Sequence, residues 1–229
     1  MDTIELINYI KNAKKTTFTV AYINGKIDYK KCKIKFFNSN DLTILIGEYD
    51  EIIKIIRENK EKILDYYLDI DRRNSKVPLL NYENINARIE PGAIIRDHVE
   101  IGDNAIIMMG AVINIGAKIG RETMIDMNAV IGGRAEIGVR CHIGACSVIA
   151  GVIEPASKLP VVIEDDCFIG AGSVILEGIR IGKNSVVGAG SVVIRDVEPG
   201  TVVAGNPAKF IKTKSELLKE KSRIVDELR

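Results

Sequence analysis

From Ile89 the chain carries isoleucine at every sixth position: 89, 95, 101, 107, 113, 119, 125, 131, 137, 143 and 149, eleven in succession. Four residues after most of these sits a small side chain: Ala93, Ala105, Ala111, Ala117, Thr123, Ala129, Ala135, Cys141 and Ser147. Gly or Asp often follows the isoleucine directly, as at Gly102, Gly120, Asp126, Gly132 and Gly144. The register breaks after Ile149 and resumes at Ile163, Ile169, Ile175, Ile181, Val187 and Val193. An α-helix turns about 100° per residue, so a stripe of period six would wind around it and bury nothing. Short strands joined by tight turns do fit the period. Each isoleucine points inward, each small residue fills a turn, and stacked turns bury a continuous aliphatic core, the logic of a β-helix repeat.

The rest of the chain has a different character. Ten of the twelve aromatics lie between Tyr9 and Tyr82, and after Gly25 and Gly47 the next glycine is Gly92. This shift sets a domain boundary near residues 75–88. The expected organisation is an α+β domain over 1–82, a mainly β domain of parallel β-helix over 83–211, and a capping helix over 212–229. Within the first domain, Ile4, Ile7 and Ile10 predict a helix over 3–11. Residues 17–23, 33–37 and 42–46 read as strands, with Asn24-Gly25 as a hairpin turn. The spacing of Ile52, Ile53, Ile56, Ile63, Leu64 and Tyr67 predicts one long helix over 48–68. The run from Asp71 to Pro78 reads as a linker. At the other end, Ser215 is a candidate N-cap for a helix through Leu228.

Composition narrows the function classes. The 229 residues include 32 Lys plus Arg and 31 Asp plus Glu, a net charge of +1. Such a chain has no general electrostatic pull toward nucleic acid or an anionic membrane. No apolar run approaches the ~18 residues of a membrane span, and no signal-peptide pattern opens the sequence, so a cytoplasmic location is expected. The four cysteines, Cys32, Cys141, Cys146 and Cys167, form no C-x-x-C pair and are expected to be reduced core thiols.

Three hexads to a coil would stack residues 18 apart on one face, with coils spaced by ~4.8 Å. Side chains alternate along a strand, so residues flanking an inward isoleucine face outward. Arg88, Asp126 and His142 then share one outer face. Asp126 and His142 fall on adjacent coils with Cα atoms about 8 Å apart, a gap suited to a bound substrate or a bridging water. The thirteen residues from Ala150 to Val162 separate two inward positions where five would do. They mark a loop extruded from the solenoid, where function tends to sit. The excess is either eight residues or two plus an irregular hexad, so the face on which Ile163 resumes stays open.

Several unbroken strings go beyond the generic repeat. They are Arg88-Ile-Glu-Pro-Gly-Ala-Ile-Ile-Arg-Asp-His98, Met124-Ile-Asp-Met-Asn-Ala129 and Gly151-Val-Ile-Glu-Pro155. The repeat resembles the hexapeptide acyltransferases, whose strands wind three to a coil into a left-handed β-helix. With the α/β head, the strings resemble the tetrahydrodipicolinate N-acetyltransferase family of the diaminopimelate and lysine pathway. That resemblance implies acetyl transfer from acetyl-CoA to the amine of a ring-opened 2-amino-6-oxoheptanedioate. It also implies a homotrimer with the donor in clefts between neighbouring β-helices, and no metal. Succinyl-transferring relatives share the Met-[Ile/Val]-Asp string and an Arg in the position of Arg88, both linked to the amino-dicarboxylate. A glutamate of those relatives is absent here, where Ser173-Val174 stand.

An amine attacking a thioester must lose a proton, which Asp126, His142 or Glu154 could accept. A dianionic substrate favours bidentate arginine, and Arg88, Arg96 and Arg134 are the candidates, with Asn128 facing the same cleft. For the donor the candidates are Gly151, Ala171, Gly188, Ala189, Ala204 and Lys209. Lys209 follows a Gly-Asn-Pro-Ala string that resembles the end of many hexapeptide acyltransferases. Rival readings are another CoA-dependent acyltransferase of the same repeat, using a succinyl donor or a sugar, serine or drug acceptor; a trimeric zinc carbonic anhydrase; and a non-catalytic scaffold. The zinc site takes three histidines, and the sequence holds two, His98 and His142.

Overall fold

The computed structural model describes residues 3–28, 34–152 and 159–216. It divides into two compact units, one of Asn12–Lys76 and one of Met1–Lys11 together with Val77–Arg229.

The smaller unit is a four-stranded sheet with one helix. β1 (Phe18–Gly25) pairs antiparallel with β3 (Leu42–Glu48) and with β4 (Ile63–Ile70), and β2 (Lys35–Ser39) lies at the edge beyond β3. Helix α2 (Tyr49–Glu58) packs Ile52, Ile55 and Ile56 against Ala21, Ile23 and Leu45 of the sheet. Two expectations are corrected here. The long helix expected over 48–68 ends at Glu58, and residues 63–70 are a strand. Asn59 stops the helix: its side-chain amide donates to Ile55 O and Asp28 O, while its Oδ1 accepts from Asp28 N. The β-branched and aromatic run that follows then pairs with β1. Asn24-Gly25 is not a hairpin turn, because Asn24 pairs with Leu42 and Asp65 and β2 joins the sheet through β3.

The larger unit is the left-handed parallel β-helix. Its two-residue strands stack in three in-register parallel ladders. The first runs through Ile89, Ile107, Ile125, Ile143, Ile169, Val187 and Val203. The second runs from Ile95 to Val193, and the third from Ile101 to Ile181. The inward isoleucines and the small turn residues form one buried core from Ile95 to Val203. Polar members of this core are satisfied. Thr123 Oγ1 donates to Gly138 O and accepts from Cys141 N, and Ser147 Oγ donates to Gly170 O. At the corners, the residue three after the inward position takes a left-handed backbone at Asn104, Glu122, Arg140, Asp166 and Asn184. The glycine behind the inward residue has a steric cause at Gly132, where a Cβ would sit 2.1 Å from Gly151 N of the next coil.

Ile163 pairs with Ile137 and with Ile181, so the chain resumes on the third ladder. Ile137 and Ile163 are 26 positions apart where 18 is the rule, and the loop therefore inserts eight residues. Helix α1 (Thr3–Asn12), read from sequence as part of the first domain, belongs to the β-helix unit: Leu6 is buried against Val77 and Ile115. The expected C-terminal helix lies mostly outside the described residues. Of it, Lys212 and Thr213 end a strand (Lys209–Thr213) that runs antiparallel to Thr201–Ala204, and Lys214–Glu216 form a 3₁₀ turn. Cys141 and Cys167 are buried, as read, but Cys146 is exposed: it takes the left-handed corner position rather than the inward one. Cys32 lies outside the described residues. No helix among the described residues is long and apolar enough to cross a membrane.

Candidate active site

The outer side of the first ladder carries two columns of side chains. Before the inward residue come Arg88, Ile106, Met124, His142, Phe168 and Val186. After it come Glu90, Met108, Asp126, Gly144, Gly170 and Gly188. Asp126 and His142 approach more closely than the Cα spacing suggests, because both side chains lean into the gap. His142 Nε2 lies 3.9 Å from Asp126 Oδ2, and each side chain is about four-fifths buried. The other carboxylate oxygen, Oδ1, accepts from Met127 N at 2.7 Å, which fixes the plane of the group. The imidazole stacks on Phe168 of the next coil, with ring centroids 4.6 Å apart and planes at 11°. This ring contact was not foreseen from sequence.

Arg88 heads the first column and reaches across to the second. Its Nε is 3.4 Å from Glu90 Oε1, and its Nη2 donates to Met108 Sδ, one coil short of Asp126. Asn128 occupies the next corner, where its Oδ1 packs on the backbone of Gly110. Farther along the same corner, Ala171, Gly188, Ala189 and Ala204 fall on consecutive coils. Gly190 N donates to Ala171 O, Gly188 N donates to Val203 O, and Ala204 pairs with Lys209.

Three expected residues lie elsewhere. Arg96 is on the second ladder beside Leu79. Arg134 sits at the corner between second and third ladders, where its Nη1 donates to Thr3 Oγ1 of α1. Gly151 is at that same corner, one coil on. Glu154 lies outside the described residues. Near Arg96, Tyr9 of α1 donates to Asp97 Oδ2 and meets His98 edge-on, which gives His98 a packing role. Burial and the Asp97 carboxylate raise the Tyr9 hydroxyl above the ordinary tyrosine range. Among the described residues no three His, Cys, Asp or Glu side chains gather as a metal site would need.

Residues 1–82 match a family described as tetrahydrodipicolinate succinyltransferase N-terminal. Residues 85–114 and 116–151 match the bacterial transferase hexapeptide repeat, and 160–195 match the hexapeptide repeat of succinyl-transferase. A 2,3,4,5-tetrahydropyridine-2,6-dicarboxylate N-acetyltransferase of Thermosipho africanus is 62% identical over 232 aligned residues, covering 100% of this chain and 99% of its own. One of Clostridium perfringens is 57% identical over 229 residues, covering 100% and 97%. The chain belongs to the tetrahydropyridine-dicarboxylate N-acetyltransferase family. The family's full-length relatives carry an acetyltransferase name while the match over 1–82 carries a succinyltransferase one. The full-length relatives weigh more, because they align through the region of Asp126 and His142.

Among solved structures, perosamine N-acetyltransferase of Caulobacter crescentus, in complex with CoA and GDP-perosamine, superposes with a TM-score of 0.50 at 31% identity. The match spans 56% of this chain and 57% of that one. The acetyltransferase domain of PglB from Neisseria gonorrhoeae, solved with acetyl coenzyme A, matches with a TM-score of 0.51 at 24% identity and shares the fold. The protein is a CoA-dependent N-acyltransferase of the hexapeptide-repeat class.

Proposed function

We propose that the protein transfers an acetyl group from acetyl-CoA to the amine of ring-opened tetrahydrodipicolinate, giving N-acetyl-2-amino-6-oxopimelate. The observation that carries the chemistry is the Asp126–His142 pair, 3.9 Å apart and four-fifths buried on the face that Arg88 heads. The amine gives its proton to His142 as its nitrogen attacks the thioester carbonyl. Asp126, held by Met127 N, orients the imidazole and stabilises its cation. Collapse of the tetrahedral intermediate breaks the C–S bond, and the proton passes to the departing CoA thiolate. Arg88 suits one substrate carboxylate through its guanidinium fork. Glu154, outside the described residues, is an alternative acceptor; Asn128 ranks below Arg88, and Arg96 and Arg134 lie away from this face.

Acetyl-CoA enters as a substrate. The corner of Ala171, Gly188, Ala189 and Ala204 presents small side chains along which an extended pantetheine arm could lie, with Lys209 beside its end. Assembly as a homotrimer is supported by the outer side of the second ladder. Ile94, Val130, Val148, Leu176 and Ile194 are each more than a third exposed there. The third ladder instead carries Glu100, Lys118, Glu136 and Arg180, including a Lys118–Glu136 ion pair. An apolar strip on one face and charge on another is the pattern of a covered and a solvated side. The closed cleft between two subunits would complete the site, and the cytoplasm supplies the donor.

The experiment is a thiol-release assay with purified protein and tetrahydrodipicolinate, comparing acetyl-CoA with succinyl-CoA. Release with acetyl-CoA is expected. Release with succinyl-CoA instead would overturn the donor, and release with neither would overturn the acceptor.

A further inference from the structure

Phe168 stands at the coil junction just after the eight-residue insertion, in register with His142. The two rings lie 4.6 Å apart and within 11° of parallel. On its other side His142 is in register with Met124, which is buried. The imidazole therefore stacks on a phenyl ring, has buried Met124 as its register partner on the preceding coil, and places Nε2 3.9 Å from Asp126 Oδ2. Stacking blocks rotation of the ring out of the layer. A phenyl face also favours a cation laid against it over a neutral ring.

We propose that Phe168 is a positioning residue for acyl transfer: it holds the His142 ring with its edge toward Asp126 and favours the imidazolium formed when the amine is deprotonated. The inference rests on His142 being the proton acceptor. Asp126 supplies the negative charge at the imidazole edge, and Met124 and Phe168 are neutral. A generic hydrophobic neighbour would fill the space equally well with leucine. A stacking partner would not be replaced by leucine but would be replaced by tyrosine.

The test uses Phe168→Leu, Phe168→Tyr and His142→Gln in the full chain. Steady-state rates are read with acetyl-CoA and tetrahydrodipicolinate, and the two histidines are titrated by NMR, the His142 signal being the one lost in His142→Gln. Phe168→Leu is expected to lower kcat about tenfold, to leave KM for acetyl-CoA within about twofold, and to move the His142 midpoint down by about half a pH unit, the size of an aromatic–cation contact. Phe168→Tyr is expected to restore both. Unchanged kcat and midpoint in Phe168→Leu, with His142→Gln inactive, would overturn the positioning role and leave His142 as the acceptor. Near-normal turnover by His142→Gln would overturn both. If Phe168→Leu does not fold, Phe168→Met carries the same expectations.

Discussion

Replacing Asp126 by asparagine isolates the charge at the centre of the site. The variant keeps an oxygen to accept from Met127 N, so the local backbone is retained. What is lost is the negative charge 3.9 Å from His142 Nε2. At that distance and an effective dielectric near 20, a full charge pair is worth about 4 kcal/mol. The side chains keep 20% and 22% of their exposure, so water screens part of this and about 2–3 kcal/mol remains. If the imidazolium forms only on the way to the transition state, the loss falls on kcat. It should be roughly 30- to 150-fold, with little change in KM. Steady-state kinetics on protein of wild-type circular dichroism and sedimentation would measure it. A kcat within about threefold of wild type would refute the electrostatic reasoning and leave Asp126 a corner residue.

Other expectations follow from the packing. Ile125→Ala, at a fully buried position between Ile107 and Ile143, should cost about 3 kcal/mol in urea unfolding, and a cost below about 1 would contradict a continuous core. Gly132→Ala should destabilise by about 1–3 kcal/mol, since its Cβ would meet Gly151 N at 2.1 Å; thermal melting checks it, and an unchanged Tm would mean the coils separate easily. If the proposed homotrimer forms through the second ladder, Val148→Glu should shift sedimentation from trimer toward monomer and lower activity with it. A Glu variant that stays trimeric would remove that face from the interface.

The period-six isoleucines made the β-helix legible because each inward position repeats the same demand, a branched chain against the coil below. The shared outer face of Arg88, Asp126 and His142 followed from the 18-residue coil that the hexapeptide resemblance implies. Phe168 did not, for a definite reason. The regular spacing would stack residue 160 on His142, and only the eight-residue insertion moves that partner to 168. The approach of Asp126 to His142 was also hidden, since Cα spacing says nothing of how side chains lean. In the smaller unit the misread strand over 63–70 came from apolar spacing that fits two periods, with Asn59 deciding between them through contacts to Asp28, 31 positions away. The attachment of α1 to the β-helix depends on Leu6 meeting Ile115, a pairing with no local signature.

The most direct measurement is a crystal structure of the protein with CoA and N-acetyl-2-amino-6-oxopimelate. The account predicts the acetylated nitrogen within hydrogen-bond reach of His142, a substrate carboxylate on Arg88, and the CoA thiol on the first ladder between Asp126 and Phe168. A product nitrogen bound beside Arg96 or Arg134, with His142 facing solvent, would contradict it.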